Sequence, residues 1–260
     1  MSEAAAESAP PPELRGGDLV RRHKLVTRLW HWTNVVAVTV MLMSGLMILN
    51  AHPRLYWGHF GANAAGHPDP AWLDLTGINN GRSFPGWITI PSTYSLADAR
   101  LWHFAFAWIL GLAILGYLLW SLLSGHIKRD LAPRAAELAP SHLWHDIKEH
   151  AALRFPTGAA ALQYNILQKL AYGGVLFVLL PGVILTGLTM SPGMNAALPF
   201  LVDVFGGRQS ARSLHFLCAF GLVGFFFIHI AMVVLAGPIN EVRSMITGWY
   251  RLPRDKGEVS

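Results

Sequence analysis

The residues best suited to metal or proton chemistry in this sequence are its 12 histidines. Eight of them lie in loops or interfacial segments, where we interpret them as solvated polar side chains. The other four are His31, His103, His215 and His229, which lie in or at the ends of long apolar segments. An ionisable side chain in such a segment is costly and indicates a functional site by default.

Three of these histidines share a local pattern, R-x-x-H-aromatic, at Arg28–Trp32, Arg100–Phe104 and Arg212–Phe216. Arg and His three residues apart lie on one helical face, and each pattern occurs where an apolar segment begins. A snorkelling contact with lipid headgroups explains any single arginine. Because the arginine recurs beside a histidine, a second interpretation is a charge placed for an anionic group, such as a haem propionate, next to an axial ligand.

Four long apolar runs must position the histidines. The sequence is 53% hydrophobic and only 13% charged, whereas soluble domains carry about 25% charged residues. Each run is close to the roughly 20 residues that a helix needs to cross a bilayer. We therefore predict an all-α integral membrane protein, a bundle of four transmembrane helices at about residues 29–50, 99–124, 164–190 and 211–237.

Lys and Arg are distributed unequally between the two sides of this bundle. Fifteen lie in the N-terminal segment, the second loop and the C-terminal tail, against five in the other two loops. The positive-inside rule then places both termini in the cytoplasm. We expect a disordered tail at 1–20, a membrane domain at 21–251 with an outer loop at 51–98 and an inner loop at 125–163, and a second tail at 252–260. The same asymmetry explains the net charge of +5, and no motif suggests nucleic acid.

The depth of each histidine follows from the direction of its helix. The first helix starts inside, which puts His31 at the inner level. The second and fourth start outside, which puts His103 and His215 at the outer level. His229 follows His215 by 14 residues, which is about 21 Å deeper and close to four helical turns. Two inner and two outer histidines therefore face a common interior.

Paired imidazoles without a nearby membrane carboxylate or thiolate suit haem iron better than a closed zinc or di-iron site. The single cysteine, Cys218, builds neither a disulfide nor an iron–sulfur cluster. Without a C-x-x-C-H motif we expect two non-covalent b haems, each with two histidine ligands. Gly45 and Gly187 follow Ser44 and Thr186 at the outer level, where they leave room either for close helix packing or for a flat ring.

The sequence resembles the cytochrome b subunits of membrane-bound oxidoreductases, the bacterial cytochrome b561, nickel–hydrogenase, formate dehydrogenase and thiosulfate reductase group. The resemblance covers roughly residues 21–251. It rests on R-x-x-H-W at Arg28–Trp32, on His103, on Y-N-x-x-Q-K at Tyr164–Lys169, on Thr186-Gly187, and on the spacing of His215 and His229.

The resemblance implies haem pairs His31/His229 and His103/His215 in a bacterial cytoplasmic membrane. It also implies a quinone site beside the inner haem to which Asn165 contributes, and Lys169 is a candidate for the proton route. Interfacial anchoring is the alternative role for these polar residues. The implied partner is an extracytoplasmic oxidoreductase subunit, of molybdopterin type in relatives with a similar loop, which would carry out the substrate chemistry.

Two other functions are open at this point. One is the b-type cytochrome subunit of a nickel–iron hydrogenase. The other, from a different class, is a haem- or proton-handling transporter. None of the four apolar runs contains Asp or Glu, which weighs against proton-coupled transport. Transmembrane electron transfer between a quinone pool and a redox partner is the function that the sequence favours.

Overall fold

The computed structural model describes residues 14–63, 70–78 and 81–254. Within these residues the helices are α1 (Leu25–Ala51), α2 (Leu96–Leu123), α3 (Pro140–Ala151), α4 (Ile166–Gly174), α5 (Leu180–Met190), α6 (Pro192–Ala197), α7 (Phe200–Val204), α8 (Arg208–Ala236) and α9 (Pro238–Thr247). Short strands are β1 (Leu19–Arg21), β2 (Arg54–Leu55), β3 (Leu73–Asp74) and β4 (Trp249–Arg251).

Four helical segments are long and apolar enough to cross a membrane: 25–51, 96–123, 160–190 and 208–236. The predicted class, an all-α membrane bundle, is confirmed. Three of the four membrane helices begin three or four residues before the predicted positions. The second helix, for example, starts at Leu96, where the Ser95 hydroxyl accepts a hydrogen bond from the backbone N–H of Asp98, a standard N-cap.

The third membrane segment is divided into α4 and α5 by a π-helical turn at Val175–Leu179. Pro181 lies two residues after the end of this turn. Since proline has no N–H, it cannot continue the regular hydrogen-bond ladder, and a π-turn is a common local solution. A distortion at Pro181 is what the sequence predicts for this helix.

The bundle consists of two closely packed helix pairs. The most extensive contacts join α1 with α2, and α5 with α8. Ala37, Leu110, Ile114 and Leu180 form the small buried core between these elements. Large apolar side chains on the outside stay exposed; Leu123 is 90% exposed. Such a surface is suited to lipid.

Both described chain ends lie at one end of the bundle, which we call the inner end because the sequence predicts that it faces the cytoplasm. There β1 pairs antiparallel with β4, and Arg22 forms an ion pair with Glu241 of α9 at 3.2 Å. The predicted tail boundaries therefore differ from the structure, since residue 19 is in a strand and Leu252 is buried. Residues 1–13 and 255–260 of the predicted tails lie outside the described residues.

The outer loop is folded over the ends of the helices. Its strands β2 and β3 pair, and the Asn50 side chain bonds both the N–H and the carbonyl of Phe84. The Gly58 carbonyl accepts hydrogen bonds from the backbone N–H groups of Gln209 and Ser210. These donors have no partner within α8. The loop therefore caps the helix that carries two of the four histidines.

Candidate functional site

The structure brings the four membrane histidines together as two facing pairs. The ring centres of His31 on α1 and His229 on α8 are 6.3 Å apart, and those of His103 on α2 and His215 on α8 are 6.1 Å apart. The planes within the two pairs cross at 58° and 59°. Each pair thus joins helices that belong to different halves of the bundle.

These separations suit one iron between the two rings of each pair. Because an imidazole nitrogen binds a transition metal at about 2.0–2.1 Å, two rings on opposite sides of one metal have centres about 6–6.5 Å apart. Direct stacking would bring them closer. Among the described residues no group of three or more His, Cys, Asp or Glu side chains is arranged to hold a metal ion without such a cofactor. The donor set fits haem with two axial histidines.

The outer pair has hydrogen-bond partners that sequence analysis did not identify. His103 Nδ1 lies 3.1 Å from the Met41 carbonyl and 3.1 Å from the Ser44 hydroxyl. His215 Nδ1 lies 3.0 Å from the Thr186 hydroxyl and also bonds the backbone of Val183. In both cases a carbonyl at one position and a hydroxyl three residues later contact the ring of the facing helix.

These contacts determine which ring nitrogen carries the proton. The Ser44 hydroxyl donates to the Val40 carbonyl at 2.7 Å, and the Thr186 hydroxyl donates to the Gly182 carbonyl at 2.5 Å. A hydroxyl has a single proton to donate, so only its lone pairs face the histidine. Nδ1 of His103 and of His215 must then be the donor. Nε2 is left with its lone pair for a metal, as in many metal-bound histidines.

Gly45 and Gly187 lie directly against the two outer rings. A Cβ atom at Gly45 would lie 3.4 Å from Cε1 of His103, and a Cβ atom at Gly187 would lie 3.4 Å from Cε1 of His215. The two helices therefore repeat one arrangement of carbonyl, hydroxyl and glycine. The weak repeat in the sequence, Ser44-Gly45 and Thr186-Gly187, corresponds to this arrangement.

A cavity of about 1010 Å³ surrounds the outer pair and contains both glycines on its walls. Arg100 and Arg212, two of the three arginines of the recurring pattern, also line it. Arg212 donates one hydrogen bond to the His52 carbonyl, and a guanidinium has several further donors. A cavity of this size, mostly apolar but also lined by Arg54, Arg100, Arg208 and Arg212, fits a large flat group that carries carboxylates.

The inner pair has different surroundings. His229 stacks on Phe225 with ring centres 5.6 Å apart, and His31 contacts the ring of Trp32 edge-on. Nδ1 of His31 and Nε of Arg28 are buried without a hydrogen-bond partner among the described residues. Arg28 also donates to the Ile246 carbonyl at the end of α9. The unpartnered Nε of Arg28 is consistent with a bound group that accepts hydrogen bonds.

The residues singled out for quinone binding lie at the inner end, but they do not all line one space. Asn165 caps α4: its side-chain oxygen accepts from the Gln168 N–H at 2.9 Å, and its amide nitrogen lies 3.1 Å from His150 Nε2. Lys169 is 7% exposed and pairs with Glu137 at 2.8 Å. Lys169 lines a polar cavity of about 330 Å³ that extends to Thr27, one helical turn before His31, whereas Asn165 does not line it.

His23 and Glu137 are among the groups on the walls of this polar cavity whose pKa values are shifted. Burial, with added repulsion from Arg22, lowers the pKa of His23 to about 4, so His23 is neutral at physiological pH. Hydrogen bonds from the Arg134 backbone and from Lys169 lower the pKa of Glu137. The cavity therefore has an ionised carboxylate and a neutral imidazole on its walls.

A four-helix membrane bundle with two facing histidine pairs at different depths defines a membrane cytochrome of the b type. Comparison with known proteins agrees. The chain belongs to the prokaryotic cytochrome b561 family, whose model matches residues 22–248. It is a membrane electron-transfer subunit of that family, and the family implies b-type haem.

Several named relatives match most of the chain. A putative protein-methionine-sulfoxide reductase subunit, YedZ1, from Azospira oryzae is 30% identical over 213 residues, 80% of this chain and 87% of the relative. A probable Ni/Fe-hydrogenase B-type cytochrome subunit from Azotobacter vinelandii is 23% identical, over 88% and 87%. The putative cytochrome YdhU of Escherichia coli is 26% identical, over 90% and 76%. The first two names indicate subunits of oxidoreductase complexes.

Proposed function

We propose that this chain carries electrons across a bacterial cytoplasmic membrane through two b-type haems. His31 and His229 hold the inner haem, and His103 and His215 hold the outer one. The observation that carries this proposal is the pair of ring separations, 6.3 and 6.1 Å, at two depths. Both termini face the cytoplasm in this proposal, which rests on the distribution of Lys and Arg.

The chain's own residues would position the haems and exclude other ligands. Two histidines on each iron leave no open coordination position, so the haem supplies electron transfer and not substrate binding. Arg100 and Arg212 would neutralise the propionates of the outer haem, and Arg28, with its unpartnered Nε, would do so for the inner one. Gly45 and Gly187 would let the outer ring approach the helices.

The exchangeable redox partner at the inner end is a quinone in this proposal. The polar cavity beside Thr27 offers a location near His31, and Lys169 and His23 on its walls offer hydrogen bonds and a route for protons. Asn165 is not on the walls of this cavity but directly follows Tyr164, which is, and in this proposal its amide N–H binds a quinone carbonyl at the edge of the cavity. In this structure that amide is engaged by His150, so quinone binding would replace this contact.

Asn165→Leu is expected to leave both haem spectra nearly intact and to slow quinone-dependent reoxidation of the inner haem severalfold. Asn165→Asp is the sharper test, because aspartate is an equally good N-cap but lacks the N–H donor, so we expect it to be slow as well. Stopped-flow spectroscopy with a soluble quinone analogue measures both rates. Asn240→Asp on α9 is the control, with an unchanged rate. A wild-type rate in both Asn165 variants would contradict a quinone role for Asn165.

The extracytoplasmic partner is a molybdopterin-type oxidoreductase in this proposal, on the basis of the resemblance of the outer loop. The alternative partner is a nickel–iron hydrogenase, which the names of the Azotobacter relatives favour. These two candidate partner enzymes contain different metals. Purification of the intact complex from membranes of the native host in a mild detergent, followed by metal analysis, separates them: molybdenum supports the first and nickel the second.

A further inference from the structure

We propose that the hydroxyl groups of Ser44 and Thr186 are positioning groups that lower the reduction potential of the outer haem selectively. This inference rests on the proposed function, since it requires haem between His103 and His215. It assigns a role to two residues that are not themselves haem ligands.

The first step of the argument is the direction of the two hydrogen bonds. The Ser44 hydroxyl donates its only proton to the Val40 carbonyl, and the Thr186 hydroxyl donates to the Gly182 carbonyl. Each acceptor lies one turn earlier in the same helix. Each hydroxyl can then only accept a hydrogen bond from the histidine of the facing helix. Both hydroxyls are fully buried, at 0% and 1% exposed, so bulk water does not replace them.

The second step is the effect of an accepted hydrogen bond on the ligand. An acceptor at Nδ1–H increases the electron density of the imidazole and makes Nε2 a stronger donor. A stronger donor stabilises ferric over ferrous iron, so it lowers the reduction potential. At the outer level both ligands receive such a contact, each in addition to a backbone carbonyl contact.

The third step is the contrast with the inner pair. His31 Nδ1 has no partner among the described residues, and the contacts of the inner rings are aromatic, to Trp32 and Phe225. A change at Ser44 or Thr186 should therefore reach the outer haem alone. Each hydroxyl contacts a different one of the two outer histidines, so we expect the double variant to shift the midpoint further than either single variant.

The test is an optical redox titration of the full-length protein in detergent, which resolves one midpoint potential for each haem. Thr186→Val keeps the shape and the β-branch of threonine but removes the hydroxyl acceptor. Ser44→Ala removes the hydroxyl acceptor of serine. We expect each to shift one of the two midpoints upward, the double variant to shift it further, and the other midpoint to stay unchanged. Thr186→Ser, which restores a hydroxyl, should return the midpoint toward that of the unmodified protein.

Thr189→Val is the matched control. Thr189 lies on the same helix, is 0% exposed, and donates to the Leu185 carbonyl at 2.8 Å, so this variant loses a buried hydroxyl without a histidine contact. An equal shift in the control, or shifts of both midpoints, would show a general structural effect and would overturn the inference. Two bound haems with unchanged midpoints in the double variant would also overturn it. An unmodified protein with a single haem would instead contradict the proposed function itself.

Discussion

Alanine in place of His103 or His215 is expected to reduce the haem content from two per chain to one. Each variant removes one of two rings whose centres are 6.1 Å apart, so a haem at the outer level would keep only one histidine ligand. The inner haem should remain, because His229 lies 14 residues, about 21 Å, further along α8, and His31 is on a different helix, α1. A pyridine haemochrome assay on purified protein gives the haem ratio.

His31→Ala and His229→Ala should produce the complementary loss, with the outer haem retained. His142→Ala is a suitable control, because this histidine lies on α3 with a 45% exposed side chain and should leave two haems. The pairing would be wrong if His31→Ala and His215→Ala removed the same haem, as identified by its spectrum and midpoint potential.

Leucine in place of Gly187 is expected to eliminate the outer haem as completely as the loss of a ligand. A Cβ atom alone would lie 3.4 Å from Cε1 of His215, which is an ordinary contact, so Gly187→Ala should retain both haems. The further carbons of leucine would occupy the space of the imidazole and of the flat group beside it. Because a packed interior does not absorb such volume, the ring must move away from its axial position. Haem content across the series Gly, Ala and Leu measures this effect.

Gly111→Leu on α2 is the matched control for this series. It is a glycine in a membrane helix where an added Cβ meets nothing within 4 Å, so we expect both haems to remain. Gly45→Leu, which faces His103 as Gly187 faces His215, should reproduce the loss. Retention of two haems in both Gly45→Leu and Gly187→Leu would mean that these glycines serve helix packing alone.

The sequence was sufficient for the fold class, and it predicts the relative depths of His215 and His229, because both depend on local rules. Apolar length predicts a membrane helix, and the rise per residue places His229 below His215. Side-chain orientation across helices has no such local signal. In the sequence, Ser44 and Thr186 are distinguished only as small residues beside glycine. Their contacts with histidine depend on how α1 faces α2 and how α5 faces α8.

Other differences have equally specific causes. The pairing of β1 with β4 joins segments about 230 residues apart, and backbone hydrogen bonds over such a separation leave no local pattern in the sequence. Asn165 shows the opposite problem, since its side chain has an evident local signal. Asn165 and Gln168 form a capping box at the start of α4, a motif that can be identified from sequence. The resemblance implies a quinone role for the same residue, which the cap neither requires nor excludes.

One helix, α8, carries a histidine of each pair, and in the proposed function this helix would set the geometry of the electron path. The 14 residues from His215 to His229 form part of an uninterrupted helix. The separation of these two histidines along the helix axis, about 21 Å, is therefore fixed by the helical rise. The opposing ligands come from α1 and α2, whose small displacements would tilt a ring without changing this separation. Electron-tunnelling rates fall steeply with distance, and here the distance between the two histidine pairs is set by one continuous helix. We therefore expect the internal electron-transfer rate to be insensitive to bilayer thickness and to the binding of a partner at either end.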